Sequence, residues 1–268
     1  MKDEIDSLLK EASFEFSKDG VITLEEARRL NQLNEVKFEI DDSFTDYARY
    51  YTRTLAKPHQ ITNVDKLMLT VAYTIIKHFS TIEKNINERL TETGMSEVNR
   101  LIPLLKRTMN YREEPINITS QQLQLLNLKP DYGSNWKHRL WRDANNFRRN
   151  VMNVLESSIM GDKSSRDWVI KTSQQIENES NKTSDKIKRN TVSDIGTMIL
   201  LTNLMVFRKE RVEAYEVITE ATACGDCAPH DGEIILADDL VLGGNAPKWH
   251  PNCRCIISPV WLDSDTLM

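Results

Sequence analysis

The sequence contains few residues that interrupt helices, with only 9 glycines and 8 prolines among 268 residues. A sandwich of short strands needs frequent turns, and turns are rich in these two residue types. Long apolar runs are also missing, since the longest, residues 198–207, is far shorter than the roughly 20 residues that span a bilayer. The N-terminus has no apolar segment of the kind found in secretory signals. We therefore expect a soluble, mainly helical protein made in a reducing cytoplasm.

The charge has no excess of positive sign that would direct the whole protein to nucleic acid. The net charge is -5, so a contact with DNA would need a local basic patch. Hydrophobic residues make up 40% of the chain and charged residues 28%. This balance is typical of a folded domain and not of a disordered tail.

Apolar residues recur at helical spacing in three long stripes. They predict helices over residues 67–86, 136–159 and 187–205. Pro103 lies in a further apolar segment, residues 95–109, where it predicts a kink or a break. The polar stretch 173–184 fits either an exposed helix or a flexible joint. The first 213 residues are thus predicted to contain helices and no strands.

The pattern changes at Ala214, where short β-branched segments begin. Strands are expected at residues 215–219, 234–236 and 255–257. We predict a mainly α fold, in which a long-helix N-terminal region is followed by a small C-terminal α+β unit. The predicted domains are a helical region, residues 1–180, and a unit of one long helix and short strands, residues 181–268.

Cysteine is absent from the first 223 residues, and all four cysteines then lie close together in the sequence. A Cys-x-x-Cys pair comes first, and a His-Pro-Asn-Cys-Arg-Cys segment follows. Two thiolates presented by a tight turn at Gly225, completed by a second pair of donors, form the usual tetrahedral zinc site. The candidate metal ligands are Cys224, Cys227, His250, Cys253 and Cys255.

A structural zinc ion is the first interpretation of these residues. The candidate ligand sets are Cys224, Cys227 and Cys253 with either His250 or Cys255, and His230 is a spare donor. On a strand, Cys253 and Cys255 would face the same way. Four protein ligands leave no position for water, so the predicted site staples the C-terminal unit and is not catalytic. Disulfides and unpaired thiols remain as alternatives.

The segments 222–233 (TACGDCAPHDGE) and 250–255 (HPNCRC), with Pro247 between them, resemble the phage Mu F-like head-morphogenesis family. That family also carries an Arg-x-Thr-like element on the preceding helix, which Arg189-Asn190-Thr191 matches more loosely. The resemblance extends over about residues 185–260, and its closing cysteine motif is the most specific part.

The resemblance implies a minor head protein of a tailed bacteriophage, present in few copies inside the capsid and associated with the portal. Such a protein would act in head assembly, with DNA packaging or ejection as a further role. The implied partners are the portal protein, the major capsid or scaffold protein and packaged DNA, with no membrane during assembly. The protein would be made in the host cytoplasm and then become part of the virion. It would be a structural component and not an enzyme.

Basic and aromatic residues alternate in the predicted helix that begins near residue 136. Its cations are Lys137, Arg139, Arg142, Arg148 and Arg149. Lysine and arginine neutralise phosphates and aromatic faces stack on bases, so these residues are candidates for binding DNA. The alternative is a solvated helix face, because Trp136, Leu140 and Phe147 have the spacing of core residues.

Residues 15–26 have the spacing of a calcium-binding loop, with a glycine at its sixth position. The simpler interpretation is a turn at Asp19-Gly20, followed by a capping box in which Thr23 and Glu26 begin a helix. Both interpretations remain open at the level of sequence.

Sequence motifs of common enzymes are missing: His-Glu-x-x-His, Gly-x-Ser-x-Gly and the phosphate loop do not occur, and the order of the cysteine pairs is not that of a zinc deaminase. Two alternatives to a structural head protein remain. One is a zinc-stapled DNA-binding protein. The other is a metal-dependent nuclease built from His230, Asp231, His250 and Asn252.

Overall fold

The structure is a computed structural model that describes residues 1–29, 38–55, 61–108, 117–126, 128, 135–160 and 163–261. Within these ranges the helices are α1 (Lys2–Glu15), α2 (Leu24–Ala27), α3 (Asp46–Leu55), α4 (Asn63–Thr108), α5 (Ser120–Leu126), α6 (Trp136–Ser158) and α7 (Ser165–Lys209). The strands are β1 (Ser17–Lys18), β2 (Val21–Ile22), β3 (Lys163–Ser164), β4 (Ala214–Ile218), β5 (Ile234–Leu236) and β6 (Ile256–Val260). The predicted fold class, long helices followed by a small C-terminal α+β unit with a Cys/His cluster, is confirmed.

The three predicted helical stripes lie in α4, α6 and α7. Pro103 is inside α4 and does not divide it, so that helix runs without a break to Thr108. Met109, the predicted end of that segment, lies outside the described residues. The polar stretch 173–184 is helical and forms the middle of α7, which removes the flexible joint as an alternative.

A small antiparallel sheet in the order β1-β2-β3 is an element that the sequence did not predict. The expectation that only helices precede residue 213 is therefore wrong. Each of these strands has two residues, which is too short to show the alternation of a strand. The third strand also comes from a distant part of the chain, so no local hairpin pattern could predict its pairing.

Residues 15–26 form a turn and a helix start, as their simpler interpretation predicted. Asp19 and Gly20 have positive φ angles of 54° and 80°, which join β1 to β2. The Thr23 hydroxyl accepts a hydrogen bond from the Glu26 N–H at 3.4 Å and caps α2. The Thr23 N–H donates to the Phe16 carbonyl, so only one half of the predicted capping box is present. In the described part of the chain, no side chain of this loop joins a group of metal-ligand atoms.

The chain divides into two compact units, each made from two separate segments. The first comprises residues 1–85 and 137–187, and the second comprises residues 86–136 and 188–268. In the first unit, the Trp168 ring meets Phe16 edge-on, with ring centroids 5.8 Å apart. The predicted division after residue 180 stays a prediction.

The second unit contains a three-stranded antiparallel sheet in the order β5-β4-β6. One face of this sheet is buried and carries Tyr215, Val217, Ile235 and Ile257. The Tyr215 ring stacks on Phe207 of α7 with centroids 5.9 Å apart, which anchors the central strand to the end of the helix. The strands predicted from β-branched segments are thus present, with bounds that differ by a few residues.

One 18-residue window of α7 is long and apolar enough to cross a membrane by length and composition, and 44% of it is buried inside the fold. Core helices of water-soluble proteins meet the same criterion, so this window gives little weight to a membrane contact.

Candidate metal centre

The first two cysteines lie at the ends of a tight turn between β4 and β5. The Cys224 carbonyl accepts hydrogen bonds from the N–H groups of Cys227 at 3.1 Å and of Ala228 at 2.9 Å. The chain then continues into a single 3-10 turn at Ala228–His230. Gly225 has open space around it and no positive φ, so the turn does not require glycine at this position. This corrects the role that the sequence assigned to Gly225.

The second group of donors comes from the turn that leads into β6. The Cys253 N–H donates to the His250 carbonyl at 3.2 Å, and Asn252 has a positive φ of 64°. Asparagine tolerates this left-handed conformation better than most residues, which explains its place in the turn. The Asn252 N–H also donates to the Ser193 hydroxyl on α7 at 3.3 Å. The turn is therefore fastened to the long helix.

The five predicted ligands are brought together in this part of the fold. The His250 Nε2 atom lies 3.0 Å from the Cys227 sulfur and 3.2 Å from the Cys224 sulfur. The Cys227 and Cys253 sulfurs are 3.8 Å apart. The ligand atoms form two groups, Cys224–Cys227–His250 and Cys227–Cys253–Cys255, in each of which all atoms lie within 4.8 Å of one another. Cys227 belongs to both groups.

The orientation of His250 is fixed by its other ring nitrogen. Nδ1 lies 2.8 Å from the Pro251 carbonyl oxygen, which can only accept a hydrogen bond. The proton therefore belongs on Nδ1, and Nε2 presents its lone pair to the two sulfurs. A backbone carbonyl in this position is a common second partner of metal-binding histidines.

The surroundings of the thiols shift their pKa values in opposite directions. The N–H groups of Cys227 and Asp226 point at the Cys224 sulfur and lower the pKa of that exposed thiol. Burial raises the pKa of Cys227, and burial also raises the pKa of Cys255. A metal ion that binds Cys227 or Cys255 must therefore displace the proton of that thiol.

The donor set and its spacing fit a metal that prefers sulfur and nitrogen ligands. In a tetrahedral site with Zn–S bonds of about 2.3 Å, two sulfurs are about 3.8 Å apart. The Cys227–Cys253 separation of 3.8 Å matches this edge, and the imidazole nitrogen lies a few tenths of an ångström closer to the sulfurs than such a site needs. All four cysteines are free thiols in this structure. The cluster can thus hold a metal ion.

His230, the spare donor, is outside both groups. Its Nδ1 atom lies 2.7 Å from a Glu233 carboxylate oxygen, and its ring stacks on Trp249 with centroids 4.4 Å apart and an angle of 7° between the planes. Trp249 also packs against the buried cysteines. His230 therefore supports the wall of the cluster through Trp249.

The residues of the nuclease alternative have separate structural tasks. A carboxylate oxygen of Asp231 accepts hydrogen bonds from the Thr219 N–H at 2.8 Å and from its hydroxyl at 2.9 Å, which lowers the pKa of Asp231. Within the described residues, Asp231 does not join His230 or His250 in a group of metal-ligand atoms. Asn252 serves the turn after His250. The geometry therefore gives this alternative no assembled site.

The five candidate DNA-binding cations all lie on α6, with different accessibility. Lys137 forms an ion pair at 3.3 Å with Glu83, a buried carboxylate that also accepts a hydrogen bond from the Trp141 ring at 2.8 Å. Arg142 and Arg149 are exposed, and they lie seven residues apart on one side of the helix. The partly buried cations are Arg139 and Arg148. Nothing in these contacts tests DNA binding, so the assignment remains a prediction.

A buried lysine beside the cluster was missed by the sequence analysis. The Lys248 ammonium donates to the Ser193 carbonyl of α7 at 2.8 Å, and only 6% of the residue is exposed. A Cβ atom at Gly196 would come within 2.7 Å of the Lys248 nitrogen, so the glycine leaves space for the lysine. The signal in the sequence was this single glycine in the last half of an otherwise well-formed helix.

Comparison with known proteins agrees with the motif that closes the sequence. No curated protein and no solved structure was found to match the chain. A protein-family model, described as Phage Mu protein F like protein, matches residues 149–258. This match includes the C-terminal part of α6 from residue 149, all of α7, strands β4 and β5, the first three residues of β6 and the whole Cys/His cluster. The C-terminal part of the chain is therefore similar to the phage Mu protein F like family, which suggests a phage head-morphogenesis protein.

Proposed function

We propose that the protein is a minor head protein of a tailed bacteriophage, located inside the capsid and bound to the portal protein. The observation that carries this proposal is the family match over residues 149–258, which contains every residue of the Cys/His cluster. Its role is structural: it contributes a surface to head assembly and does not catalyse a reaction. The major capsid or scaffold protein is a second contact in this proposal.

The ion of the cluster is proposed to be zinc. Thiolate and imidazole donors at tetrahedral spacing favour zinc over magnesium or calcium, which prefer oxygen ligands. Four of the five donors would close the coordination sphere, so the ion would hold the turn after β4 against the turn before β6. The segment between β5 and β6 is also fastened to α7, because the Lys248 ammonium donates a hydrogen bond to the Ser193 carbonyl of that helix. Zinc would thus make the small sheet and its loops a rigid docking unit.

Co-expression with the portal gene of the same genome tests the proposal. Size-exclusion chromatography followed by native mass spectrometry should give a stable complex, and its mass should report the number of chains and of zinc ions. Folded protein that stays separate from the portal protein at micromolar concentration would contradict the portal assignment. The same purified protein should leave supercoiled DNA intact in the presence of zinc or magnesium ions.

DNA contact through α6 is a second proposed activity, and the exposure of Arg142 and Arg149 favours it. Replacing both with glutamine should lower the affinity for duplex DNA equally for all sequences. It should also reduce the slope of log affinity against log salt by about 2, since each phosphate contact contributes about 0.9. An unchanged slope would assign these arginines to a solvated helix face.

A further inference from the structure

The outer face of the three-stranded sheet carries several large apolar side chains. Strand pairing places Leu236, Ala214 and Val260 side by side on one face, and Ile218 is paired with Ile256. Ile234 and Ser258 lie on either side of Glu216 in the same way. Directly paired residues of antiparallel strands point to the same side. We call the surface formed by Ile218, Ile234, Leu236, Ile256, Val260 and Glu216 the outer sheet face.

Four of the apolar side chains of the outer sheet face are open to solvent. Their exposed fractions are 57% for Ile234, 46% for Leu236, 41% for Ile256 and 40% for Ile218. The opposite face is the buried one that packs towards α7. Large aliphatic residues grouped on one exposed face are uncommon in isolated chains and mark contacts with other proteins. The face is thus expected to be covered in the assembled particle.

Carboxylates set the chemistry of the partner. Glu216 is at the centre of the outer sheet face, and Glu213, Asp238 and Asp239 are exposed next to its Ala214–Leu236 end. None of these four carboxylates is ion-paired with a cation in the described part of the chain. The partner surface should therefore be apolar and bordered by lysine or arginine. DNA is excluded as the occupant by its own negative charge. A second copy docked about a two-fold axis would bring like carboxylates together.

We propose that the outer sheet face binds the portal protein, through a portal segment whose apolar side chains are flanked by basic residues. One of those basic residues pairs with Glu216. This inference rests on the proposed function, because it takes the portal protein as the partner, and it adds the surface and the chemistry of the contact. The Cys/His cluster acts behind it by fixing the loops that connect the three strands.

Two substitutions test the surface directly in the full chain. Ile234→Ser removes the most exposed apolar side chain of the face, and Glu216→Lys reverses its central charge. Val192→Ser is the matched control, since Val192 is 57% exposed and lies on α7 in the same unit. Affinity for the purified portal protein should fall at least about tenfold for the first two and stay within about twofold for the control. Circular dichroism and zinc content should be equal in all four proteins.

The salt dependence supplies an independent measurement. Glu216→Gln should bind the portal protein with a weaker dependence on ionic strength than the natural chain, because one charge pair has been removed. Hydrogen exchange of the complex should protect the amides of β4, β5 and β6.

The outcomes separate the binding surface from the proposed function. If the natural chain and both face variants bind the portal protein equally well, the outer sheet face is not the binding surface, and the proposed function stands. If the natural chain does not bind, both are wrong. If the chain alone sediments as a dimer that Ile234→Ser dissociates, the occupant is a second copy and not the portal protein.

Discussion

Cys227 is the residue on which the candidate metal centre depends most, since its sulfur is the one member common to both groups of potential ligand atoms. It is also buried, and burial raises the pKa of its thiol, so a metal ion has to displace its proton as it binds. A tetrahedral site needs four of the five donors, and His250 already lies within 3.2 Å of two sulfurs. We therefore take Cys255 as the surplus donor.

Serine substitutions should separate these two positions. Cys227→Ser should lose zinc and unfold the C-terminal unit, while the helical signal in circular dichroism stays largely intact. Cys255→Ser should keep zinc bound, because three thiols and the imidazole remain. Zinc per chain, measured by mass spectrometry of the metal, gives the answer, and equal loss in both variants would contradict the assignment of Cys255 as the surplus donor. Cys224→Ser and Cys253→Ser are expected to resemble Cys227→Ser.

Asp231 gives a pH-dependent contribution with a defined sign. Its pKa is lowered from the ordinary value of 3.8 by the two hydrogen bonds from Thr219. A lowered pKa in the folded state stabilises the fold above the unfolded value, and this stabilisation is lost as the pH falls through the lowered value. Carbon-detected NMR titration should therefore place the Asp231 midpoint below 3.8. Thr219→Val should move it back towards that value, and an unchanged midpoint would contradict the cause.

The sequence predicted the five members of the cluster because thiols and an imidazole at these spacings have few other uses. It could not predict that Cys227 belongs to both groups of potential ligand atoms, since this depends on how the two turns meet in space. Lys248 was missed for a related reason. A lysine in a loop is usually solvated, and only the contact with α7 shows that this one is buried.

Among the elements, α7 contacts the loop that precedes the second group of candidate metal ligands. The missing side chain of Gly196 leaves a space on the helix surface, and the Lys248 ammonium occupies this space. This is a specific reason for glycine in the interior of a helix, where it normally costs about 1 kcal/mol relative to alanine.

Gly196→Ala should consequently destabilise the protein in spite of its better helix propensity. The added methyl group would displace the Lys248 ammonium from the Ser193 carbonyl, at a cost of about 1–3 kcal/mol, against a gain of about 1 kcal/mol from helix propensity. Chemical denaturation followed by tryptophan fluorescence measures the balance. In a Lys248→Met background the same substitution should cost less, and full additivity of the two changes would show that they do not interact.

Lys137 and Arg142 both lie on α6, but only Lys137 is paired with the buried Glu83. We therefore expect their replacement to lower the free energy of unfolding by different amounts. In the described part of the chain, Lys137→Met leaves the buried Glu83 carboxylate with one hydrogen bond, from the Trp141 ring N–H. We expect a loss of about 1–3 kcal/mol in the free energy of unfolding. Arg142→Met on the exposed side should change it by less than about 0.5 kcal/mol. Equal losses of stability for the two variants in thermal denaturation would mean that the ion pair does not contribute to the stability of the fold.

The elements were predictable to different degrees for physical reasons. The long helices were found because α4, α6 and α7 each repeat apolar residues over several turns. The short strands β1 to β3 were not, because two residues carry no periodic pattern. Pro103 was expected to interrupt α4, but tertiary contacts can hold a helix through a proline that lies close to its end.

For the whole molecule, all five candidate ligands belong to the second unit, so we expect metal removal to act on one unit only. Calorimetry of the full chain should resolve two transitions, and a zinc chelator should lower the temperature of one of them. The other should stay within the error of the measurement. One transition that shifts as a whole would contradict independent stability of the two units.

The first unit joins residues that are far apart in the chain, as the contacts of α1 illustrate. Lys2 pairs with Glu177 at 2.8 Å, and Asp6 accepts a hydrogen bond from Ser173 at 2.6 Å. On the ribosome, α1 must therefore wait while more than a hundred further residues are added, on the order of 10 s at usual rates of synthesis. The residues of α1 that are buried in the finished fold include Ile5 and Leu9. A nascent chain of this kind is a natural client for chaperones, and slow translation after α1 would lengthen its exposure.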